Sequence, residues 1–180
     1  TNFMDVEYDI VIDKADADVI FSSEIRFDYG GVGFTNVSFI GGEVLKMEII
    51  GHPDIKPALN ANTISVSGLN VGTYLATLTI SSDTFMISDQ TEITKQVKVT
   101  PYELSLTTPS ENEIWFSKDY GLADPELTKT FVSPFSHTLK VRFEREEGES
   151  VGKYALKDPE IIEINDFVDI TNYALADFSD

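Results

Sequence analysis

Apolar and polar residues alternate with a period close to two along most of the chain. Leu45, Met47 and Ile49 interleave with Lys46 and Glu48, and Tyr74, Ala76, Leu78 and Ile80 interleave with Leu75, Thr77, Thr79 and Ser81. Such alternation puts one set of side chains on a buried sheet face and the other in water. The same pattern predicts strands over residues 6–12, 19–27, 33–39, 63–66, 92–99, 104–106, 139–143 and 161–164. Turn-forming clusters lie between them: Tyr29-Gly30-Gly31, Gly41-Gly42, His52-Pro53-Asp54, Gly68-Leu69-Asn70, Thr108-Pro109-Ser110 and Glu147-Gly148. No window of a dozen residues carries a helical stripe. Asp124 and Pro125 are placed to cap and open one turn of helix over residues 125–128, and no more. Many short strands at spacings of roughly 8–12 residues predict an all-β sandwich or barrel.

The pattern breaks near residue 100. Thr100-Pro101-Tyr102 interrupts two alternating stretches, and proline removes a ladder hydrogen bond from a central strand. We therefore expect two tandem small β domains, residues 1–100 and 101–180, joined by a short, stiff connection. Residues 1–100 carry 14 acids and 6 bases, residues 101–180 carry 17 and 7, so both halves are acidic.

That acidity narrows the partners. The 180-residue chain has 31 acidic and 13 basic side chains and a formal net charge of −18. Nucleic-acid and anionic-lipid binding need clustered Lys and Arg, which this sequence does not supply. Aromatics at 11 % and hydrophobics at 42 % exclude a disordered acidic tail. Mutual repulsion between copies predicts a monomer. With no cysteine, disulfides, thiolate catalysis and Cys-ligated metal sites are all excluded. No apolar run reaches the roughly 18–20 residues of a membrane span, so no membrane insertion by this chain is expected. A first residue Thr1 rather than Met gives the expectation of a piece of a longer precursor.

A Gly-x-Tyr element occurs twice, as Gly72-Thr73-Tyr74 and Gly152-Lys153-Tyr154. Glycine lets the chain turn sharply into a strand. The tyrosine ring is then buried while its hydroxyl bonds back to the backbone, as in the tyrosine corner of Greek-key sandwiches. Ala76 and Leu156 stand two residues after each tyrosine, where immunoglobulin domains place a cysteine. The stretch from Gly68 to Ser82 resembles the penultimate strand of immunoglobulin-like modules in bacterial surface proteins. The second half is similar to the MBG-type repeat of bacterial adhesins. That resemblance rests on Tyr120-Gly121-Leu122-Ala123-Asp124-Pro125-Glu126-Leu127, on Gly148 with Val151-Gly152-Lys153-Tyr154-Ala155, and on Asn172-Tyr173-Ala174. It implies an extracellular β module, a sandwich or β-grasp-like fold, in an adhesive or spacing role. The family closes with one more Gly-led strand. Here the expectation is either that this strand is lost or that it begins within residues 174–178.

The residues that carry chemistry point the same way. His52 and His137 have no partner at metal-ligand spacing and read as surface turn residues. No Gly-x-Ser-x-Gly elbow exposes a nucleophile. Gly30-Gly31-Val32-Gly33 lacks the following helix and Lys of a phosphate loop and reads as a hairpin or bulge. Asp13, Asp16 and Asp18 are weak calcium candidates without the EF-hand order; a solvated loop is the favoured reading. Lys14 and Lys98 are candidates for an isopeptide cross-link that no motif singles out. Trp115, Phe116 and Tyr120 are candidate ligand contacts, with Trp115 and Phe116 placed in an alternating strand. The reading is a non-enzymatic module without cofactor in a bacterial surface or secreted protein, a stalk or adhesin repeat facing a host or cell-surface protein or glycan. A glycan- or protein-binding module and an accessory domain of a secreted hydrolase are the alternatives.

Overall fold

The computed structural model describes residues 15–16, 20–21, 24–38, 43–81, 85–86, 92–107, 109 and 113–176. Regular structure within them is β-strand apart from one three-residue 3-10 turn, so the protein is all-β. The chain divides into two compact units. The first comprises Thr1–Ile25, Gly33–Val66 and Tyr74–Val97, and the second Arg26–Val32, Ser67–Thr73 and Lys98–Asp180.

Among the described residues of the first hundred, ten strands follow in order: β1 (Ala15–Asp16), β2 (Ile20–Phe21), β3 (Ile25–Asp28), β4 (Val32–Ser38), β5 (Glu43–Ile49), β6 (Ala58–Asn60), β7 (Thr63–Ser67), β8 (Gly72–Ser81), β9 (Phe85–Met86) and β10 (Glu92–Thr100). They form two four-stranded sheets, in the orders β2-β4-β7-β6 and β3-β10-β8-β5, and β1 pairs with β9. The alternation read from sequence appears directly as burial. Met47 and Ile49 are buried while Lys46 and Glu48 are exposed, and Ala76, Leu78 and Ile80 line the inner face of β8. Ile64 and Val66 of β7 and Val97 of β10 complete that aliphatic core. Fully burying each Ile, Leu or Val contributes about 1.5–3 kcal/mol.

The glycine-rich turn departs from the expected hairpin. The backbone N–H of Gly31 donates to the Asp28 carbonyl at 2.9 Å, closing a tight turn. But β3 and β4 belong to different sheets, so the turn carries the chain from one sheet to the other.

In the second unit, β11 (Tyr102–Leu104), β12 (Thr128–Val132), β13 (Thr138–Arg145), β14 (Leu156–Ile164) and β15 (Tyr173–Leu175) follow, with the 3-10 turn at Ile170–Asn172. Strands β12, β13 and β14 make an antiparallel sheet in that order. Its register shifts between Lys140 and Val141 and between Arg142 and Glu144. Strands β11 and β15 pair in parallel. The core gathers Leu139, Ile164 and Tyr173, with Tyr29, Tyr102, Leu104, Phe135, Ile161 and Val168 packed against them.

Several expectations shift here. The stretch expected at 104–106 is instead β11, which ends at Leu104. Residues 125–127 take no helical turn, and β12 opens at Thr128. Trp115 and Phe116 lie outside any strand. The late strand expected within 174–178 is β15, starting one residue earlier at Tyr173, while 177–180 fall outside the described residues. The strand expected over 6–12 also falls outside them.

Candidate functional site

The second unit is fastened where its main segment begins and ends. Strand β11 lies beside β15 in the register Tyr102↔Tyr173, Glu103↔Ala174 and Leu104↔Leu175, and the Ala176 N–H donates to the Leu104 carbonyl at 2.9 Å. Because the strands run the same way, the chain leading into Tyr102 and the chain leaving Leu175 depart from opposite ends of the pair. Tension between those two points slides the strands past each other and loads the whole ladder at once. An antiparallel pair with its free ends side by side would open one hydrogen bond at a time.

Tyr173 anchors this fastening. Its ring makes edge contacts with Tyr29 (centroids 5.5 Å apart), Tyr102 (6.4 Å) and His137 (6.0 Å), and Phe135 tilts against it at 6.4 Å. Edge-to-face pairs of this kind stabilise beyond their buried area, by about 0.5–1.5 kcal/mol each. Gly30 makes room for the cluster. It has a φ of +76°, and a Cβ there would lie 2.3 Å from the Phe135 ring.

The hydroxyl of Tyr173 has a fixed direction. Ser133 Oγ accepts from the backbone N–H groups of Phe135 at 3.3 Å and His137 at 3.2 Å. A hydroxyl has two lone pairs and one proton, so the Ser133 proton goes to Tyr173 Oη at 3.0 Å. The Tyr173 O–H in turn donates to His137 Nδ1 at 2.6 Å, which places the imidazole proton on Nε2. Burial pushes the Tyr173 phenol above its ordinary range, against the opposing pull of the Ser133 bond. His137 is thus half-buried and bonded into the core, not a surface turn residue. Beside Tyr173, Asn172 is 1 % exposed. Its Oδ1 accepts from the Val71 N–H at 2.8 Å, and its Nδ2 donates to Asn70 Oδ1 at 2.9 Å.

Four charged side chains of the second unit close into a ring. Lys118 Nζ meets Asp124 Oδ1 at 2.7 Å and Glu149 Oε2 at 3.0 Å; Arg145 meets the same two carboxylates at 3.0 and 2.8 Å. Arg145 also donates to the carbonyls of Glu146 and Gly148. The Lys118 ammonium, then the Arg145 guanidinium, hold both carboxyls below their ordinary range, and both cations are raised in return. Arg145 lies over the Tyr154 ring, 5.1 Å from its centroid, and the Tyr154 hydroxyl donates to the Ser150 carbonyl at 2.6 Å. Gly148, with a φ of +147°, presses on that ring: a Cβ there would come within 2.4 Å of it. At Gly152 a Cβ would meet nothing within 4 Å. Gly72 has a φ of +155°. In the first unit Tyr74 packs edge-on against His52, with ring centroids 5.1 Å apart.

The remaining candidates are dispersed. Trp115 Nε1 donates to Glu113 at 2.7 Å, Lys129 Nζ sits 3.6 Å from its ring centroid, and Phe131 and Phe143 abut its edges. The indole is therefore half-buried among its own neighbours. It borders a cavity of about 380 Å³ also lined by Leu104, Leu106, Phe131, Leu139 and Leu175. Phe116 is half-buried, whereas Tyr120 is 78 % exposed in the turn closed by the Leu122 N–H on the Asp119 carbonyl. Asp13, Asp18 and Lys14 lie outside the described residues, as does the Asp16 side chain, and Lys98 is half-buried. Among the described residues no group of three His, Asp or Glu is placed to hold a metal ion, and no helix is long and apolar enough to cross a membrane. Sequence reasoning missed Tyr29, Ser133 and Phe135, whose roles come from partners remote in the chain.

No protein-family model matches the chain, and no curated protein matches it. Among solved structures it is similar to the crystal structure of the SrpA adhesin from Streptococcus sanguinis. The identity is 13 % and the TM-score 0.38, over 73 % of this chain and 89 % of that chain. A likeness of that strength carries no argument about what this chain binds or does.

Proposed function

We propose that the chain is a non-enzymatic, load-bearing β module of an extracellular or cell-surface protein, made of two tandem domains, 1–100 and 101–180, that space or present an adhesive element. The observation that carries this reading is the parallel β11–β15 pair, set so that end-to-end tension shears it. Supporting detail lies in how chemistry-bearing groups are used. The neighbouring Ser133, Tyr173 and His137 spend their hydrogen bonds holding a core strand in place. An immunoglobulin-like first domain is supported by the sheet orders β2-β4-β7-β6 and β3-β10-β8-β5. They correspond to that fold's A-B-E-D and G-F-C sheets, with the leading strand divided between the two. Tyr74 then stands near the start of strand F, where a tyrosine corner belongs. The MBG-type character of the second domain rests on its sequence motifs. The acidic surface repels neighbouring copies and keeps the module monomeric.

The chain contains no cysteine, so introduced ones serve as unique handles. Single-molecule pulling on the full chain between handles at positions 101 and 176 shears the β11–β15 pair. Pulling between positions 101 and 170 peels it from one end. A higher rupture force in the first geometry is expected. Equal forces in both would sink the load-bearing reading.

A further inference from the structure

The loop between β14 and the 3-10 turn holds an aromatic side chain out in water at an energetic cost. Asp166 and Phe167 both adopt left-handed backbone, with φ of +61° and +58°. Asp tolerates that region, but for a bulky residue it is an outlier maintained only when the surroundings impose it. They do so here. Asn165 exchanges bonds with Thr138, its N–H to the Thr138 carbonyl at 3.1 Å and its Oδ1 from the Thr138 N–H at 2.6 Å. Asn165 Nδ2 also donates to Asp166 Oδ2 at 2.7 Å, Val168 packs into the core, and Asp169 Oδ1 accepts from the Thr171 N–H and hydroxyl at 2.9 and 2.8 Å. Held on both sides, Phe167 is 107 % exposed, and Ile170 beside it is 46 % exposed.

From this strained and fully exposed ring we infer that Phe167 anchors a protein-binding site, and that the partner is a protein segment whose apolar side chain covers the ring between flanking Lys or Arg. A ring presented in one conformation loses little entropy on binding, the economy that marks interface hot spots. Asp166 and Asp169 flank it on a chain of net charge −18, which attracts those basic residues and opposes a second copy of this chain. Each of those carboxylates already serves the loop's own hydrogen bonds, so they offer a negative field more than the directed bonds that sugar hydroxyls require. The inference is independent of the load-bearing reading.

Two measurements on the full chain test it. Phe167→Asn puts a residue that accepts left-handed backbone in place of one that does not. It is expected to melt at or above the temperature of the unchanged chain; a lower melting point would mean that the ring stabilises the fold, and would overturn the proposal. A phage-displayed random peptide library selected on the unchanged chain is the probe for binding. Enriched peptides should pair an apolar residue with flanking Lys or Arg. They should bind Phe167→Asn about 30-fold more weakly, the size of a hot-spot loss, and bind Phe167→Tyr nearly as well. Peptides indifferent to Phe167, no enrichment at all, or Phe167-dependent hits confined to a glycan array would each overturn it.

Discussion

The first unit closes over aliphatic side chains, Ile25, Val37, Ile64, Val66, Leu78, Ile80 and Val97, with Thr35 as its one polar residue among those described as buried. The second closes over Tyr173, ringed by Tyr29, Tyr102, Phe135 and His137 and tied through its hydroxyl. Both grow from the same alternating pattern. What differs is how each core selects its arrangement. Aliphatic packing is non-directional and answers to volume, whereas a hydroxyl relay answers to the position of every donor and acceptor along it.

The sharpest way to break that contrast is to remove volume from the first unit. Leu78→Ala is expected to cost about 2–5 kcal/mol in a urea titration, the range for a leucine truncated in a core that relaxes only partly. A cost near zero would mean that this core is loosely packed and that volume does not define it.

Removing direction from the second unit should cost less, but by a different route. Tyr173→Phe keeps the ring and takes away one oxygen. The Ser133 proton then has no acceptor there and His137 Nδ1 no donor, for an expected loss of about 1–3 kcal/mol. A neutral result would show that the aromatic packing alone positions β15.

The smallest effect should come from the ionic ring. Asp124 and Glu149 are held below the ordinary carboxylate range in the fold. The stability they contribute is therefore fully present above that range and is lost as the pH falls through it and below. Lys118 is shifted upward, so its share is present below the ordinary lysine range and fades at higher pH. Melting curves from neutral to acid pH should fall less steeply for Asp124→Asn than for the unchanged chain. Added salt should narrow that difference, since these groups are in contact with solvent.

Legibility from sequence followed burial more than the boundary between the units. Strands β5, β7, β8 and β10 could be read because a half-buried strand prints its burial into alternate positions, as Met47 and Ile49 do against Lys46 and Glu48. β12 was not read: Thr128, Lys129, Thr130, Phe131 and Val132 show no clean alternation, because no residue of that strand is fully buried. The β6 strand is exposed at all three positions and leaves no hydrophobic signal. Local alternation puts Trp115 in a strand, yet its place is fixed by Glu113 and Lys129, which alternation does not encode. The tyrosine at 173 was visible as a motif, but the serine and histidine that direct it come from the turn between β12 and β13. Gly148 was visible as a motif too, without the Tyr154 ring that explains it.

The pairing of β11 with β15 also governs the order in which the second unit can be made. Its two strands come from opposite ends of that unit's long segment. Bringing them together means closing a large loop, whose entropy must be lost before any contact repays it. During synthesis from the N-terminus, β15 reaches its neighbour only after the β12-β13-β14 meander has been made. Until then β11 waits without its partner strand, and Tyr102 has the Phe135 ring beside it but not that of Tyr173. The pair that tension between Tyr102 and Leu175 would shear is thus the last of the second unit's described pairings to form as the chain is made.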